Sequence, residues 1–222
     1  EIIFNRFKSR TIGSPYLVPK TKDAQKDLVI AQDPRKEASI PLRRSLNEKD
    51  GLEFSYVWWM YIEDFEYKKG SWKHVFHKGG SDSWPNRAPG VWLHPNDNKM
   101  RVYMNSYKKI ANYVDIDNIP VGKWFSCGVV VTQNYLDVYI NGYLKSRLAL
   151  EGIPKQNFGD VYINAFGGYN GYLARMRYYD YAIPFHTLQE HNEKGPDMEL
   201  PYENRQMPPY LTPYWWANNY SD

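Results

Sequence analysis

Lys123-Trp-Phe-Ser-Cys-Gly-Val-Val-Val-Thr132, Gln133-Asn134, Tyr135-Leu-Asp-Val-Tyr-Ile140, Asn141-Gly142 and Tyr143-Leu-Lys-Ser-Arg-Leu148 follow one another without interruption. In the middle run Leu136, Val138 and Ile140 alternate with Tyr135, Asp137 and Tyr139. A two-residue period on a pleated backbone gives one buried face and one wetter face. Asn141-Gly142 accepts the positive φ values of a tight primed turn, and Gln133-Asn134 supplies a second reversal. Three antiparallel strands are therefore expected within one short stretch, with further strands packed around this meander.

Outward from the meander the same signals recur. Leu28–Ala31, Ser39–Leu42, Glu53–Ile62, Trp72–Lys78, Val91–His94, Met100–Asn105, Asn112–Ile116, Asp160–Phe166 and Tyr172–Tyr181 read as strands, with turn residues between them. Pro41 places its segment at an edge or a strand start. Trp58 and Trp59 are adjacent and point to opposite faces, so both faces of that strand are covered or one is a contact surface. Phe185–Glu193 is the one helix candidate, with Pro184 at its start and Gly195-Pro196 as its stop. The pattern predicts an all-β sandwich or jelly roll of two antiparallel sheets. Residues 1–27 are rich in Lys and Pro without periodicity and read as an extended arm. Residues 28–200 form the sandwich, and 201–222 read as a Pro- and aromatic-rich tail.

The chain has 222 residues, enough for one large all-β domain, and its aromatic share is 17%, with 20 Tyr and 8 Trp. The net charge of +3 does not argue for nucleic acid. It is uneven: residues 1–50 hold 11 Lys/Arg against 7 Asp/Glu, a net of +4, and the rest nets −1. The leading arm is either a solvated tail or a contact for a membrane surface or an acidic partner. A single cysteine, Cys127, excludes an intrachain disulfide and reads as a buried thiol. No apolar run reaches membrane-span length. The chain opens on Glu1-Ile2-Ile3-Phe4, and a membrane contact through a segment preceding Glu1 is left open.

Gly122-Lys123-Trp124, Leu136-Asp-Val-Tyr-Ile-Asn-Gly142, Gly167-Gly-Tyr-Asn-Gly-Tyr-Leu173 and Arg177-Tyr-Tyr-Asp-Tyr-Ala182 together resemble the laminin-G-like branch of the concanavalin A-like lectin/glucanase superfamily. Ile40-Pro-Leu-Arg-Arg-Ser45, His74-Val-Phe-His-Lys-Gly79, Gly152-Ile-Pro-Lys-Gln-Asn157 and Asn192-Glu-Lys-Gly-Pro196 are similar to phrases in versions encoded by large double-stranded DNA viruses. This resemblance implies a concanavalin A-like jelly roll. It also implies a virion protein of minor-capsid type, whose partners are other capsid proteins and whose location is the particle. The superfamily holds lectins, hydrolases, adhesion domains and structural proteins, so fold does not settle task.

The glucanases of the superfamily carry Glu-x-Asp-x-Glu, which puts nucleophile and acid on one strand face. Here the nearest stretch is Glu63-Asp-Phe-Glu66, where adjacent acids face opposite ways, and a non-enzymatic protein is expected. The histidines His74, His77, His94, His186 and His191 lack metal-ligand spacing, and no metal site is expected. Calcium binds at the rim in family relatives. Asn96-Asp97-Asn98, or Asp115 with Asp117, would supply oxygens here, or they are plain turn residues. For glycan binding, an aromatic plate with Asp and Asn beside it singles out Asp82, Trp84, Asn86 and Arg87 in one loop, and Tyr169 and Asn170 in another. Ordinary turn chemistry accounts for the same residues. For partner contact, Arg6, Lys8 and Arg10 in the arm and Tyr210, Tyr214, Trp215 and Trp216 in the tail are the anchoring types.

Overall fold

A computed structural model describes residues 13–45 and 51–198. Among the described residues, thirteen named strands and one named helix follow in chain order. β1 is Tyr16–Val18, β2 Lys22–Asp23, β3 Leu28–Ile30, β4 Phe54–Ile62 and β5 Lys73–Gly79. β6 is Arg87–Leu93, β7 Lys99–Met104, β8 Asn112–Asp117 and β9 Trp124–Val131. β10 is Tyr135–Ile140, β11 Tyr143–Ala149, β12 Asp160–Ile163 and β13 Gly171–Tyr179, and α1 is Phe185–Lys194. One sheet runs β1-β13-β4-β9-β10-β11, with β2 also on β13, and the other runs β3-β12-β5-β6-β7-β8. Every pairing is antiparallel. This is the expected two-sheet sandwich.

The core lies between the inner faces. Tyr56, Trp58, Met60 and Ile62 alternate along β4 and meet Phe76, Leu93, Met100, Val102 and Met104 from the other sheet. Phe76 packs edge-on against Trp58, with ring centres 5.1 Å apart, and tilts against Tyr56 at 5.3 Å. Such ring pairs add about 0.5–1.5 kcal/mol beyond the area they bury. Cys127 is fully inside, and burial drives its thiol pKa far up, as the sequence suggested for an inert thiol.

The meander folds as read. Asn141 and Gly142 turn with φ of 52° and 79°, and Leu136 and Val138 are core residues. The wetter face is only partly wet, however. Asp137 is 4% exposed and takes a two-pronged contact from Arg147 on β11, with both N–O distances 2.7 Å. Tyr139 joins a small second core of Val57, Val130, Tyr179, Ile183 and Leu188, closed by α1. α1 also covers Trp59, whose indole Nε1 donates to the His191 carbonyl. Of the two readings of Trp58-Trp59, covered faces is correct. Gly128 makes the docking close: a Cβ there would lie 2.8 Å from the Leu188 Cδ2.

Several boundaries differ from expectation. The stretch placed in an extended arm is folded from Tyr16 onward: β1 and β2 pair with β13, and Leu17, Val18 and Ala24 enter the core. Strands of two or three residues are too short to show a period. Ser39–Leu42 is not a strand. The Gln32 side chain holds that segment, donating to the Ile40 carbonyl and accepting from the Leu42 N–H. β6 starts four residues before Val91 and includes Pro89. Its pairing with β5 shifts register between His77 and Gly79, so the missing proline donor falls at an irregularity in the ladder. β12 ends at Ile163, short of Phe166.

The interface between α1 and the sheet generates a test. Leu188→Ala should destabilise the protein by about 2–4 kcal/mol in denaturant titration, the usual cost of an unfilled core site. A loss below about 1 kcal/mol would mean that the helix is not part of the folded unit.

Candidate aromatic and cationic binding face

The outer face of the six-stranded sheet is built from the outward positions of β12, β5, β6, β7 and β8. Pairing places Tyr162 beside His77, His77 beside Gly90, Gly90 beside Tyr103 and Tyr103 beside Tyr113, one row across five strands. The adjacent row runs His74, Trp92, Arg101, Asp115. Gly90 explains how the rows fit together. A Cβ there would sit 2.3 Å from the Trp92 ring, so the indole lies down over the glycine. There it stacks on His77 at 5.9 Å and meets the edge of Tyr103 at 5.5 Å.

Arg87 is the centre of the cationic part. Its guanidinium lies 3.6 Å from the Tyr103 ring centre and 5.1 Å from those of Trp84 and Trp92. The Arg87 Nε is buried and has no hydrogen-bond partner among the described residues. Asn105 sets the approach. Its Oδ1 accepts the Arg87 backbone N–H at 2.5 Å, and its Nδ2 donates to the carbonyls of Pro85 and Ile110. One buried amide thus ties the β5–β6 loop to the β7–β8 loop. Further along, Arg101 grips Asp115 through two contacts of 2.6 and 2.7 Å and lies over Trp72 and Tyr113. Trp72, Trp84, Tyr113 and Phe166 are the exposed rings of this face, Trp84 the most at 56%.

His74 and His77 form a relay beneath the rings. His77 Nε2 donates to the Gly80 carbonyl at 2.8 Å, which leaves Nδ1 bare to accept from His74 Nε2 at 2.8 Å. His74 Nδ1 is then a buried acceptor without a partner among the described residues. Burial lowers both pKa values, and His77 lowers that of His74 further. Burial also pulls His191, under α1, down to about 4.

The sequence-predicted residues divide. Asp82, Trp84, Asn86 and Arg87 share the β5–β6 loop and the start of β6, at the edge of this face. Tyr169 is not a surface residue: it is fully buried, and its hydroxyl donates to the Tyr172 carbonyl at 2.8 Å. Glycine neighbours suggested an exposed turn, but the ring turns inward. Asn170 lies toward the other end of β5 and is engaged, donating to Asp64 at 2.6 Å and accepting from Gln25 at 3.0 Å. Arg6, Lys8, Arg10, Tyr210, Tyr214, Trp215 and Trp216 lie outside the described residues. Four of the five calcium candidates carry other side-chain contacts: Asn98 caps Ile119, Asp97 lies 3.4 Å from His94, Asp115 holds Arg101, and Asp117 pairs with Lys99. Among the described residues no group of three or more His, Cys, Asp or Glu converges, and no helix is long and apolar enough to cross a membrane. Trp92, Arg101, Tyr103 and Asn105 belong to no sequence motif, and His74 and His77, three apart and expected on opposite faces of a regular strand, share one face because the β5–β6 pairing shifts register between His74 and Phe76. The alternation of Lys99, Arg101 and Tyr103 with Met100, Val102 and Met104 marks Arg101 and Tyr103 as outward-facing; Trp92 and the pairing of the histidines carry no such signal.

Residues 35–186 match the family model Laminin_G_3, described as the concanavalin A-like lectin/glucanases superfamily. The chain belongs to that superfamily, and its fold is a lectin-like β-sandwich. The fold is similar to a crystal structure titled HCR/D F1240A mutant, with TM-score 0.59 and 10% identity over 82% of this chain and 46% of that one. It is also similar to the receptor binding domain of botulinum neurotoxin C/D mosaic serotype, with TM-score 0.51 and 12% identity over 64% of this chain and 36% of that one. The binding domain of botulinum neurotoxin serotype D gives TM-score 0.52 and 12% identity, over 64% and 37%. This chain spans less than half the length of each. No curated protein matches the sequence.

Two measurements bear on this face. Gly90→Ala should displace the Trp92 indole and cost about 1–3 kcal/mol, with a changed near-ultraviolet dichroism spectrum; an unchanged spectrum and stability would contradict the packing. Stability should also fall as pH drops. The unfolded chain protonates these imidazoles near their ordinary 6.5, whereas the folded chain resists. Stability present above about pH 6.5 is therefore lost progressively toward pH 4, and His191→Gln should flatten part of that loss if the variant folds.

Proposed function

We propose that this chain is a non-enzymatic structural protein of a virion, a minor capsid or capsid-associated component, whose lectin-like sandwich holds neighbouring chains. The observation that carries the binding reading is the face centred on Arg87. Trp, Tyr and Arg, already packed and oriented before a partner arrives, are the residue types that dominate binding energy at protein interfaces. The virion placement rests on the resemblance carried by Ile40–Ser45, His74–Gly79, Gly152–Asn157 and Asn192–Pro196. Arg6, Lys8 and Arg10, with Tyr210, Tyr214, Trp215 and Trp216, are proposed to reach to neighbouring subunits.

The acids nearest to a glycosidase motif support the non-enzymatic reading. Asp64 accepts the Tyr67 N–H and the Asn170 amide, which hold its pKa below the usual value, while Glu66 pairs with Lys69 on the surface. A retaining glycosidase needs one carboxylic acid kept protonated near its working pH, facing a second carboxylate. Neither bonded arrangement supplies that.

A second reading, glycan contact for host attachment, is favoured by one feature. The Trp84 indole stands 56% exposed with Asp82 and Asn86 in its loop and Arg87 against its ring.

Mass spectrometry of purified, salt-washed particles should find this polypeptide. Trp84→Ala and Arg87→Ala should each weaken its retention on particles lacking it by about thirtyfold or more, the size of an interface hot spot. Absence from washed particles would end the structural reading. Saturable binding on a glycan array that disappears with Trp84→Ala would establish the second reading in its place.

A further inference from the structure

A separate cavity of about 310 Å³ opens where segment 41–44, the ends of β4 and β5, and the loop before β12 meet. We propose that this cavity binds a small acidic sugar, a hexuronate whose carboxylate sits between Arg44 and Lys78 and whose hydroxyls donate to Gln156.

Three observations converge. The first is charge. Arg44 has no carboxylate partner among the described residues; its guanidinium lies 4.8 Å from the Phe158 ring centre. Lys78 is 8% exposed and spends one N–H on the Gly159 carbonyl at 2.6 Å, leaving donors for an anion. Two acids line the cavity and both are engaged: Asp160 accepts the Gln32 backbone N–H at 2.8 Å, and Asp33 pairs with Arg35 at 3.0 Å. Arg43, also in the lining, lies 3.5 Å from Asp180. The second is the Gln156 Oε1, a buried acceptor without a partner among the described residues. A sulfate has no donor for that oxygen and a phosphate at neutral pH has at most two, whereas a sugar brings several hydroxyls, one of which satisfies it. The third is shape. Phe158 is 77% exposed at the mouth and offers a ring face, and Phe54, Tyr56 and Tyr178 line the interior. The cavity has the volume of a small-molecule site, with a few convergent polar groups in an apolar wall.

Charge coupling gives a second readout. Burial brings the Lys78 ammonium down to about 8, with Asp160 of β12 opposing and Arg44 reinforcing the shift. Tyr56 of β4 and Tyr178 of β13 stay protonated well above that range. A bound carboxylate favours the charged amine, so affinity should fall as pH rises through about 8.

The site is distinct from the Trp84–Arg87 face, and its failure leaves that reading untouched. The test is calorimetric titration of the full chain with glucuronate, glucose and inorganic phosphate. Glucuronate should saturate one site and glucose should bind at least about tenfold more weakly. Arg44→Gln and Lys78→Met should each cost about tenfold in affinity, the scale of one charge-assisted contact. Weakening between about pH 7 and about pH 9 should be present in the wild type and absent in Lys78→Met. Arg44 is exposed, so Arg44→Gln decides the matter if Lys78→Met fails to fold. Phosphate binding as tightly as glucuronate, glucuronate binding unaffected by Arg44→Gln, or no heat with glucuronate would each overturn the proposal.

Discussion

Burial of one aromatic seam between two sheets is the constraint on which the rest depends. Tyr56 and Trp58 from β4 meet Phe76 from β5, and all three are essentially without solvent contact. An antiparallel strand shows alternate residues to opposite faces, so committing Tyr56, Trp58, Met60 and Ile62 inward commits Val57 and Trp59 outward. The outward set cannot be left wet at low cost. α1 covers it, with Leu188 seated on Gly128. The same logic in the other sheet sends Phe76, Val91 and Val102 inward and leaves His77, Trp92 and Tyr103 on the outer surface. No helix of the described residues covers that second outer face, and there the rings and guanidinium groups pack on one another instead.

That difference between the two outer surfaces is what gives the molecule a candidate site. On the β4 side, apolar residues are closed off by a helix. On the β5 side, Arg87, Arg101, His74 and His77 interleave with rings, so the layer is stable in water yet carries donors and ring faces. Cation–ring contacts contribute about 0.5–1 kcal/mol at exposed sites and about 2 kcal/mol or more once a partner excludes water. Glycine performs the same physical task on both sides: at Gly128 and Gly90 a missing side chain leaves a seat into which a bulky neighbour folds. A strand interior disfavours glycine unless something approaches closely, and both positions have that approach.

Much of the architecture was legible. β4, β5, β7, β8, the β9–β11 meander and α1 fall within a residue or so of expectation, because each carries a strong period or a turn signal. β1 and β2 were not legible, since a strand of two or three residues has no period and exists only because β13 offers a free edge. β6 was read too short because proline argues against a strand, and only its pairing with β5 reveals the register shift that tolerates it. Of the candidate glycan residues, the Asp82–Arg87 group kept its neighbourhood and Tyr169 did not. A tyrosine flanked by glycines looks the same in sequence whether its ring points into solvent or into the core.

Local pattern, then, was sufficient for fold class, for most strand positions and for the inertness of Cys127, since all three follow from alternation and burial of apolar groups along one segment. Which rings would stack, that Arg87 would sit among three of them, and that Gln156 would be left beside Arg44 and Lys78 were decided by tertiary structure alone. Apart from Trp84 and Trp92, which are close to Arg87 in the chain, the groups in those contacts come from separate strands and loops. Strand order and register set them, and strand order is a property of how the two sheets close, which no single stretch of sequence contains.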